Sequence, residues 1–253
     1  MLNNAQTPLL HIADVSGNAL FQGDCLEIMP LIPDNSIDCI ITDPPYGTTA
    51  CKWDSVIPFD KMWKQLNRII KTNGAIVLFG SEPFSSALRM SNIKNYKYDW
   101  IWDKKLGGNS MLVKYQPYKI HELIHVFSSK GKANYNPLME TRGEVRIKNG
   151  KTKNEDNAFG VDGAEYIKNN IYYPKSILEI SNAKRTGRVH PTQKPVELME
   201  YLIKTYTNEN EMVLDFSMGS GSTLVASKNL NRKFIGIEKE PKYYEIACQR
   251  CGF

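Results

Sequence analysis

No Lys or Arg precedes Lys52 in this chain of 253 residues. Its start therefore has neither the basic n-region of a secretory signal nor the Arg-rich pattern of a transit peptide. Long apolar runs are also missing, since none approaches the ~18 residues that a membrane-spanning helix needs. Cysteine is sparse. Cys25, Cys39, Cys51, Cys248 and Cys251 are scattered and odd in number, which fits reduced thiols and excludes a disulfide framework. The charge excess of a disordered chain is absent too, with 42% hydrophobic and 23% charged residues, close to ordinary globular usage. A chain of this length buries most of its apolar surface without staples. These absences predict a soluble, intracellular globular protein.

Charge is present, but unevenly. The net +5 comes from 32 Lys and Arg against 27 Asp and Glu. Between Gly131 and Arg188 there are 11 basic residues against 7 acidic ones, while the remainder is nearly balanced. That stretch is rich in Asn, Gly and Lys and weak in hydrophobic periodicity. A solvated loop region has this composition, and so does a surface that neutralises phosphates. Composition leaves both open.

Around the basic stretch, apolar runs alternate with helical patterns. Ile37–Thr42 and Ala75–Phe79 predict buried strands. Between them Phe59, Met62, Trp63, Leu66, Ile69 and Ile70 recur at helical spacing, with Gly74 expected as the C-cap. Tyr98–Trp102 and Glu122–Phe127 predict further strands. Beyond the basic stretch, Pro195 opens a helix with Met199, Leu202, Ile203 and Tyr206 on one face. A strand (Met212–Phe216), a helix (Ser222–Leu230), a strand (Phe234–Glu238) and a last helix (Pro241–Arg250) follow. Such alternation implies an α/β domain with a mostly parallel sheet and helices on both faces, the basic stretch being an insertion.

Two turns in this pattern can carry chemistry. Val213-Leu-Asp-Phe-Ser-Met-Gly219-Ser-Gly221-Ser-Thr223 places a glycine turn between a strand and a helix start, where a backbone can approach a ligand closely. Glu238 follows Gly219 by 19 residues and ends the next strand, a position where a carboxylate accepts hydrogen bonds from a ribose diol. Leu224 stands where a dinucleotide fingerprint has its third glycine, and no Lys follows Gly221 as in a P-loop. A nucleoside cofactor is the expectation. The second turn, Asp43-Pro44-Pro45-Tyr46, ends the Ile37–Thr42 strand, and its prolines force a rigid exposed bend. It offers a carboxylate, a carbonyl and an aromatic ring at the edge where open parallel sheets bind ligands. A carboxylate and a carbonyl together accept both protons of an exocyclic amine, and the ring stacks on the base that bears it.

Two other patterns are discounted. His121-Glu-Leu-Ile-His125 matches the HExxH zinc signature, but that chemistry needs a helix and a third ligand. The neighbouring Ile120, Ile124, Val126 and Phe127 predict a strand, on which the two histidines would sit ~13 Å apart. Cys248-Gln-Arg-Cys251 is a lone pair of thiols and cannot close a tetrahedral metal site.

The Asp-Pro-Pro-Tyr turn, the downstream Gly-Ser-Gly turn and His190-Pro-Thr-Gln-Lys-Pro195 together resemble the amino-methylating, S-adenosylmethionine-dependent DNA methyltransferases. The motif order is that of their β group: catalytic tetrad, target-recognition region, cofactor loop. The resemblance runs from Gly23 to Tyr244. It implies a doubly wound, mostly parallel, Rossmann-like methyltransferase sheet, circularly permuted. Residues 1–130 would be the catalytic half, 131–188 an inserted target-recognition region and 189–253 the cofactor half. It implies that Asp43, Pro44, Pro45 and Tyr46 are catalytic. Asp24 would approach the cofactor adenine, Thr192 and Lys194 its methionine portion, and Glu238 its ribose. Asp215, Phe216, Ser217, Gly219, Gly221, Ser222 and Thr223 would form the cofactor loop. The family usually has Pro-Phe where this chain has Phe216-Ser217. DNA contacts are expected from Lys52 and Trp53, in a lid-like loop over Gly47–Pro58, and from Arg142, Arg146, Lys148, Lys151 and Lys153. No metal is implied.

The activity implied is methylation of N6 of an adenine rotated out of double-stranded DNA. Alternatives are N4 of cytosine, for which Ser is commoner than Asp at the first tetrad position, an RNA amine, or an inactive DNA-binding relative. The resemblance places the protein in the cytoplasm of a prokaryote or phage-infected cell, at the nucleoid and away from membranes. Homodimers are common in the resembling group, though nothing in this sequence marks one.

Overall fold

Apolar runs buried on both faces, as parallel strands require, build the centre of the molecule. The computed structural model describes residues 17–48, 54–148, 166–168, 170–182 and 193–253. The strands are β1 (Ala19–Gln22), β2 (Ile37–Thr42), β3 (Ile70–Gly80), β4 (Tyr96–Asp103), β5 (His121–Phe127), β6 (Glu140–Thr141), β7 (Arg146–Lys148), β8 (Tyr166–Lys168), β9 (Ile171–Tyr172), β10 (Ile177–Glu179), β11 (Met212–Asp215) and β12 (Lys233–Glu238). The helices are α1 (Cys25–Ile28), α2 (Phe59–Ile69), α3 (Phe84–Ser91), α4 (Val196–Tyr206), α5 (Ser222–Asn229) and α6 (Pro241–Cys251). Among the described residues no helix is long and apolar enough to cross a membrane.

Two compact units result. The larger takes residues up to 136 together with 176–253. Its eight strands run in the order β1-β12-β11-β2-β3-β5-β4-β10, and every neighbouring pair is parallel except the two made by β5. The last strands of the chain, β11 and β12, thus lie between its first two. Alternation along the strands divides the core into two layers. Ile40, Ile76, Leu78 and Leu214 pack with Met62 and Leu66 of α2. Ile41, Val77 and Val213 face the other way and pack with Leu198, Leu202 and Tyr206 of α4. Burying a side chain of this size is worth roughly 1.5–3 kcal/mol, so the sheet is held from both faces.

The smaller unit, residues 137–175, lies inside the basic stretch. Among its described residues are two antiparallel pairs, β6 with β9 and β7 with β8. Arg142 pairs with Glu140 at 2.6 Å and lies 5.6 Å from the Tyr172 ring centre.

One local expectation is corrected. Gly74 does not cap α2, because the helix ends at Ile69 and β3 begins at once. Pairing with β2 jumps from Ile37–Ile70 to Cys39–Ala75, and Gly74 sits in that irregularity. A Cβ there would lie 2.6 Å from the Ile70 side chain and 2.9 Å from the Asp38 carbonyl, so close strand approach selects the glycine.

The His-rich pattern lies on a strand, β5, with His121 exposed and His125 fully buried. His125 Nδ1 is 2.6 Å from Asp99 Oδ1, and its Nε2 is 2.8 Å from Ser85 Oγ. This chain of polar groups ties β4, β5 and α3 together beneath the surface.

Candidate active site

From β2 the chain crosses through α2 to β3 on one side, and from β11 it crosses through α5 to β12 on the other. The loops after β2 and β11 therefore diverge, leaving a crevice at the carboxyl edge of the sheet, where open α/β sheets bind ligands. Both motif turns sit there. A cleft of about 580 Å³ is lined by Asp43, Pro44, Pro45 and Tyr46 from one turn and by residues of the Gly219–Gly221 turn and Glu238 from the other.

The turn after β11 is built around Asp215. Its Oδ1 accepts from the Thr42 hydroxyl (3.0 Å) and the Ser217 N–H (3.2 Å), and its Oδ2 accepts from Thr223 (2.6 Å). The first of these bonds joins the turn to the end of β2. Burial pushes the Asp215 carboxyl up to about 7, against the pull of these three donors. Gly221, at φ 78°, starts α5, in the left-handed region that glycine adopts without penalty. Glu238, nearly buried, accepts the Gly219 N–H through Oε2 and the Glu240 N–H through Oε1, both at 2.8 Å. Each carboxylate oxygen keeps lone-pair capacity for a further donor. Phe216, nearly fully buried, and Ser217, half-buried, both line the cleft. Asp24, beside Glu238 in the cleft lining, caps α1 through the Leu26 N–H (2.9 Å) and pairs with Lys239 at 3.1 Å, and the preceding Gly23 N–H donates to the Glu238 carbonyl at 2.9 Å. Ser222 also lines the cleft.

Asp43 stands at the centre of a charge network. Its Oδ1 accepts from the Tyr46 hydroxyl at 2.5 Å, and its Oδ2 lies 2.6 Å from Lys194 Nζ. Lys194 is buried, 3.0 Å from Glu122 Oε2 and over the rings of Phe79 and Trp102. Lys104 closes the chain at 2.8 Å from Glu122 Oε1. Burial alone would drive the Lys194 ammonium neutral, but the Asp43 and Glu122 carboxylates outweigh it and hold the lysine above its ordinary range. Burial would likewise raise Glu122, yet Lys194 and Lys104 hold it at about 2. Asp43 ends above the ordinary aspartate range, because burial and the Glu122 charge together exceed the pull of Lys194. The Tyr46 ring stacks on Phe84 of α3 with centres 5.0 Å apart, so one ring face is already covered. After the tetrad, the Asp54 carboxylate accepts the Gly47 and Thr48 N–H groups, both at 2.9 Å, and fixes the start of the following loop.

Among the described residues no group of three His, Cys, Asp or Glu is placed to hold a metal ion. Thr192, Lys52, Trp53, Lys151 and Lys153 lie outside the described residues, and Arg146 and Lys148 are described only as backbone of β7. Arg142, in the smaller unit, is engaged by Glu140. Sequence reasoning missed Glu122 and Lys104. Glu122 lay within the His-Glu-Leu-Ile-His pattern, and no local signal marked Lys104.

A family model for N6/N4 methyltransferases, described as DNA methylase, matches residues 37–249. The chain belongs to this DNA methylase family. The methylase is 27% identical over 255 residues to the type II methyltransferase M1.MboII of Moraxella bovis, covering 91% of this chain and 95% of the relative. It is 28% identical to M.HinfI of Haemophilus influenzae, covering 92% and 68%. Among solved structures, the S-adenosylmethionine complex of M1.HpyAVI superposes with a TM-score of 0.59 at 26% identity, covering 93% of the methylase and 99% of that chain. The cytosine-N4-specific PvuII DNA methyltransferase shares the fold, with a TM-score of 0.66 at 18% identity, covering 93% and 86%.

Proposed function

We propose that this methylase uses S-adenosylmethionine to methylate the exocyclic N6 of an adenine rotated out of duplex DNA. The observation that carries the reading is the single cleft shared by Asp43 and the Gly219–Gly221 turn. A nucleoside-sized space with a few convergent polar groups is the ordinary form of such a site. Glu238 would accept the ribose hydroxyls, and Asp24, Ser217 and the glycine turn would line the rest of the cofactor. When bound, S-adenosylmethionine supplies a sulfonium methyl electrophilic enough to need no activation by the protein.

The harder problem is the nucleophile, an amine whose lone pair is delocalised into the base. Asp43 and the Pro44 carbonyl are the acceptors for its two N–H groups. Accepting both draws the nitrogen toward a pyramidal geometry and localises the lone pair. Lys194 and Tyr46 hold the Asp43 carboxylate in place, and its raised proton affinity suits it to take the proton that the amine gives up. Rotating the base out costs a few kcal/mol, offset by these bonds and by the Tyr46 ring. Asp at the first tetrad position supports adenine over cytosine. The basic stretch at 131–188 would read the surrounding sequence.

Tritium transfer from labelled cofactor to duplex DNA, followed by digestion and nucleoside chromatography, tests this. Label in N6-methyl-2′-deoxyadenosine is the expected result. Label in N4-methyl-2′-deoxycytidine would overturn the choice of base, and DNA binding without transfer would make the chain an inactive relative.

A further inference from the structure

Between β4 and β5, residues 104–120 form a loop that the scheme above leaves unused. β4 and β3 both run antiparallel to β5, so β4 points the same way as β2 and β3. The loop therefore leaves the sheet at the edge that carries Asp43, and its Lys104 and Gly108 line the cleft. It is built, not slack. Asn109 Oδ1 accepts the Lys119 N–H (2.8 Å), its Nδ2 donates to the Pro117 carbonyl (3.0 Å), and the Tyr118 hydroxyl donates to the Gly107 carbonyl (3.1 Å). A single 3-10 turn, Ser110–Leu112, sits in its middle.

What this clasped loop holds out is apolar. Met111 is 91% exposed and Tyr115 is 85% exposed, with Leu112 and Val113 about half exposed beside them. A cluster of exposed apolar side chains on a fixed scaffold marks an interaction surface. Its charge is of one sign, with four lysines and no Asp or Glu over 104–120. Lys104 pairs with Glu122, and Lys105 with Asp103 and Glu179. Lys119 donates to the neutral Ser81 hydroxyl. Among the described residues, neither Lys114 nor Lys119 has a carboxylate partner. An apolar tip flanked by uncompensated cations suits a surface with anionic edges and a stacked apolar interior. That describes a DNA duplex, in which apolar wedges hold an opened base step.

We propose that the loop enters the duplex beside the target, with Met111 and Tyr115 filling the space left by the departing base. Lys114 and Lys119 face the flanking phosphates. This rests on the base rotation argued above. The tip props open the gap, so the extruded base cannot simply fall back into its stack.

The test uses the full chain, after its site is mapped by modified-base sequencing of DNA from a host that expresses it. Duplexes carry that site with the target base either paired or opposite an abasic position. The double variant Met111→Ala/Tyr115→Ala changes only exposed side chains. On the paired target its single-turnover rate should fall by about tenfold or more, as expected if part of the extrusion cost is no longer offset. Opposite the abasic position it should stay close to wild type. Lys114→Gln should instead flatten the salt dependence of binding and leave the ratio of the two rates unchanged. An unchanged rate on the paired target overturns the proposal, and so does an equal loss on both duplexes. A loss accompanied by a shift in sedimentation from dimer to monomer would assign the tip to contacts between copies, and also overturns it. Absence of transfer by the wild-type chain to any DNA would instead bring down the reading of function itself.

Discussion

Replacing Lys194 with Met removes one charge while keeping much of the side-chain volume. The ammonium lies 2.6 Å from Asp43 Oδ2 and 3.0 Å from Glu122 Oε2. Without it, two carboxylates share a poorly hydrated pocket with only Lys104 to compensate them. Breaking a buried pair from one side costs ~3–5 kcal/mol. The lower end applies here, because Glu122 keeps Lys104 and Asp43 can take up a proton. Asp43 is already raised by burial, and Lys194 is the group that most lowers it, so the variant's Asp43 rises further. A carboxyl that binds its proton more tightly when folded contributes less stability as pH climbs through its folded pKa. Lys194→Met should therefore lose stability toward neutral pH. If ionised Asp43 is required, the acid limb of the methylation rate should also move to higher pH. Adding Glu122→Gln relieves the repulsion, and a double-mutant cycle should give a coupling within about 0.5–3 kcal/mol. The assays are single-turnover rates across pH, thermal melts, and calorimetric titration with S-adenosylmethionine. A lysine whose task is to hold the methionine portion of the cofactor would behave otherwise: affinity would fall and the acid limb would stay. That pattern, or wild-type stability in the variant, would refute the reasoning.

Asp43→Ala should abolish transfer while calorimetric affinity for the cofactor survives, because the glycine turn and Glu238 are untouched; retained activity would contradict its role as amine acceptor. Glu238→Gln keeps one oxygen but loses the charge, and should weaken S-adenosylmethionine by ~1.5–3 kcal/mol, the range for hydrogen bonds to charged groups. Wild-type affinity in a DNA-free titration would remove Glu238 from the ribose. Asp215, raised by burial to about 7, takes up a proton on folding between its unfolded range near pH 4 and pH 7, so its contribution to stability falls as pH rises across that window. Asp215→Asn should flatten the dependence of the melting temperature on pH by that one proton, and an unchanged slope would show that Asp215 is ionised throughout.

Much of this site was legible because its two turns are local. Asp43-Pro-Pro-Tyr46 and the Gly219–Gly221 turn each follow a buried strand, and the end of a strand is where a parallel sheet presents its ligands. The long strands and helices were equally plain, since continuous apolar runs and 3.6-residue spacing survive in the fold. Short elements were not. The four residues of β1 and the three of β10 gain their strand character from neighbours distant in sequence, β12 and β4. The same limit hid the charge network. Lys194 and Asp43 are 151 positions apart, and only the adjacency of β2, β3 and β5 brings Glu122 to both. Glu122 lay within a motif discounted as a metal site, and the discount covered the histidines but not the residue between them. On alternating positions of β5, Glu122 faces the cleft side and His125 the opposite layer. Period-two geometry therefore gave one short motif two unrelated tasks.

Tyr46 shows how a structural detail changes a prediction. From the sequence, its ring is the working part, a stacking surface for the extruded base, so Tyr46→Phe should retain much of the activity. In the structure the hydroxyl also has a partner, donating to Asp43 Oδ1 at 2.5 Å, while Lys194 holds Oδ2. The tyrosine thus helps to set the orientation of the carboxylate that receives the amine. A hydrogen bond to a charged group contributes about 1.5–3 kcal/mol, which corresponds to roughly 10- to 150-fold in rate if the bond is fully expressed in the transition state. Tyr46→Phe should therefore lower single-turnover methylation by at least about tenfold, equally for a paired target and for one opposite an abasic position, because the hydroxyl acts on Asp43 and not on base extrusion. Tyr46→Ala loses the bond and also the ring, worth a further ~1–3 kcal/mol of stacking. That second loss should be partly rescued opposite the abasic position, where less stacking must be exchanged. The two variants are thus separated by their response to the unpaired target as well as by their rates. A Tyr46→Phe enzyme with wild-type rates on both duplexes would show that Lys194 alone positions Asp43 and that the hydroxyl contact has no part in the chemistry.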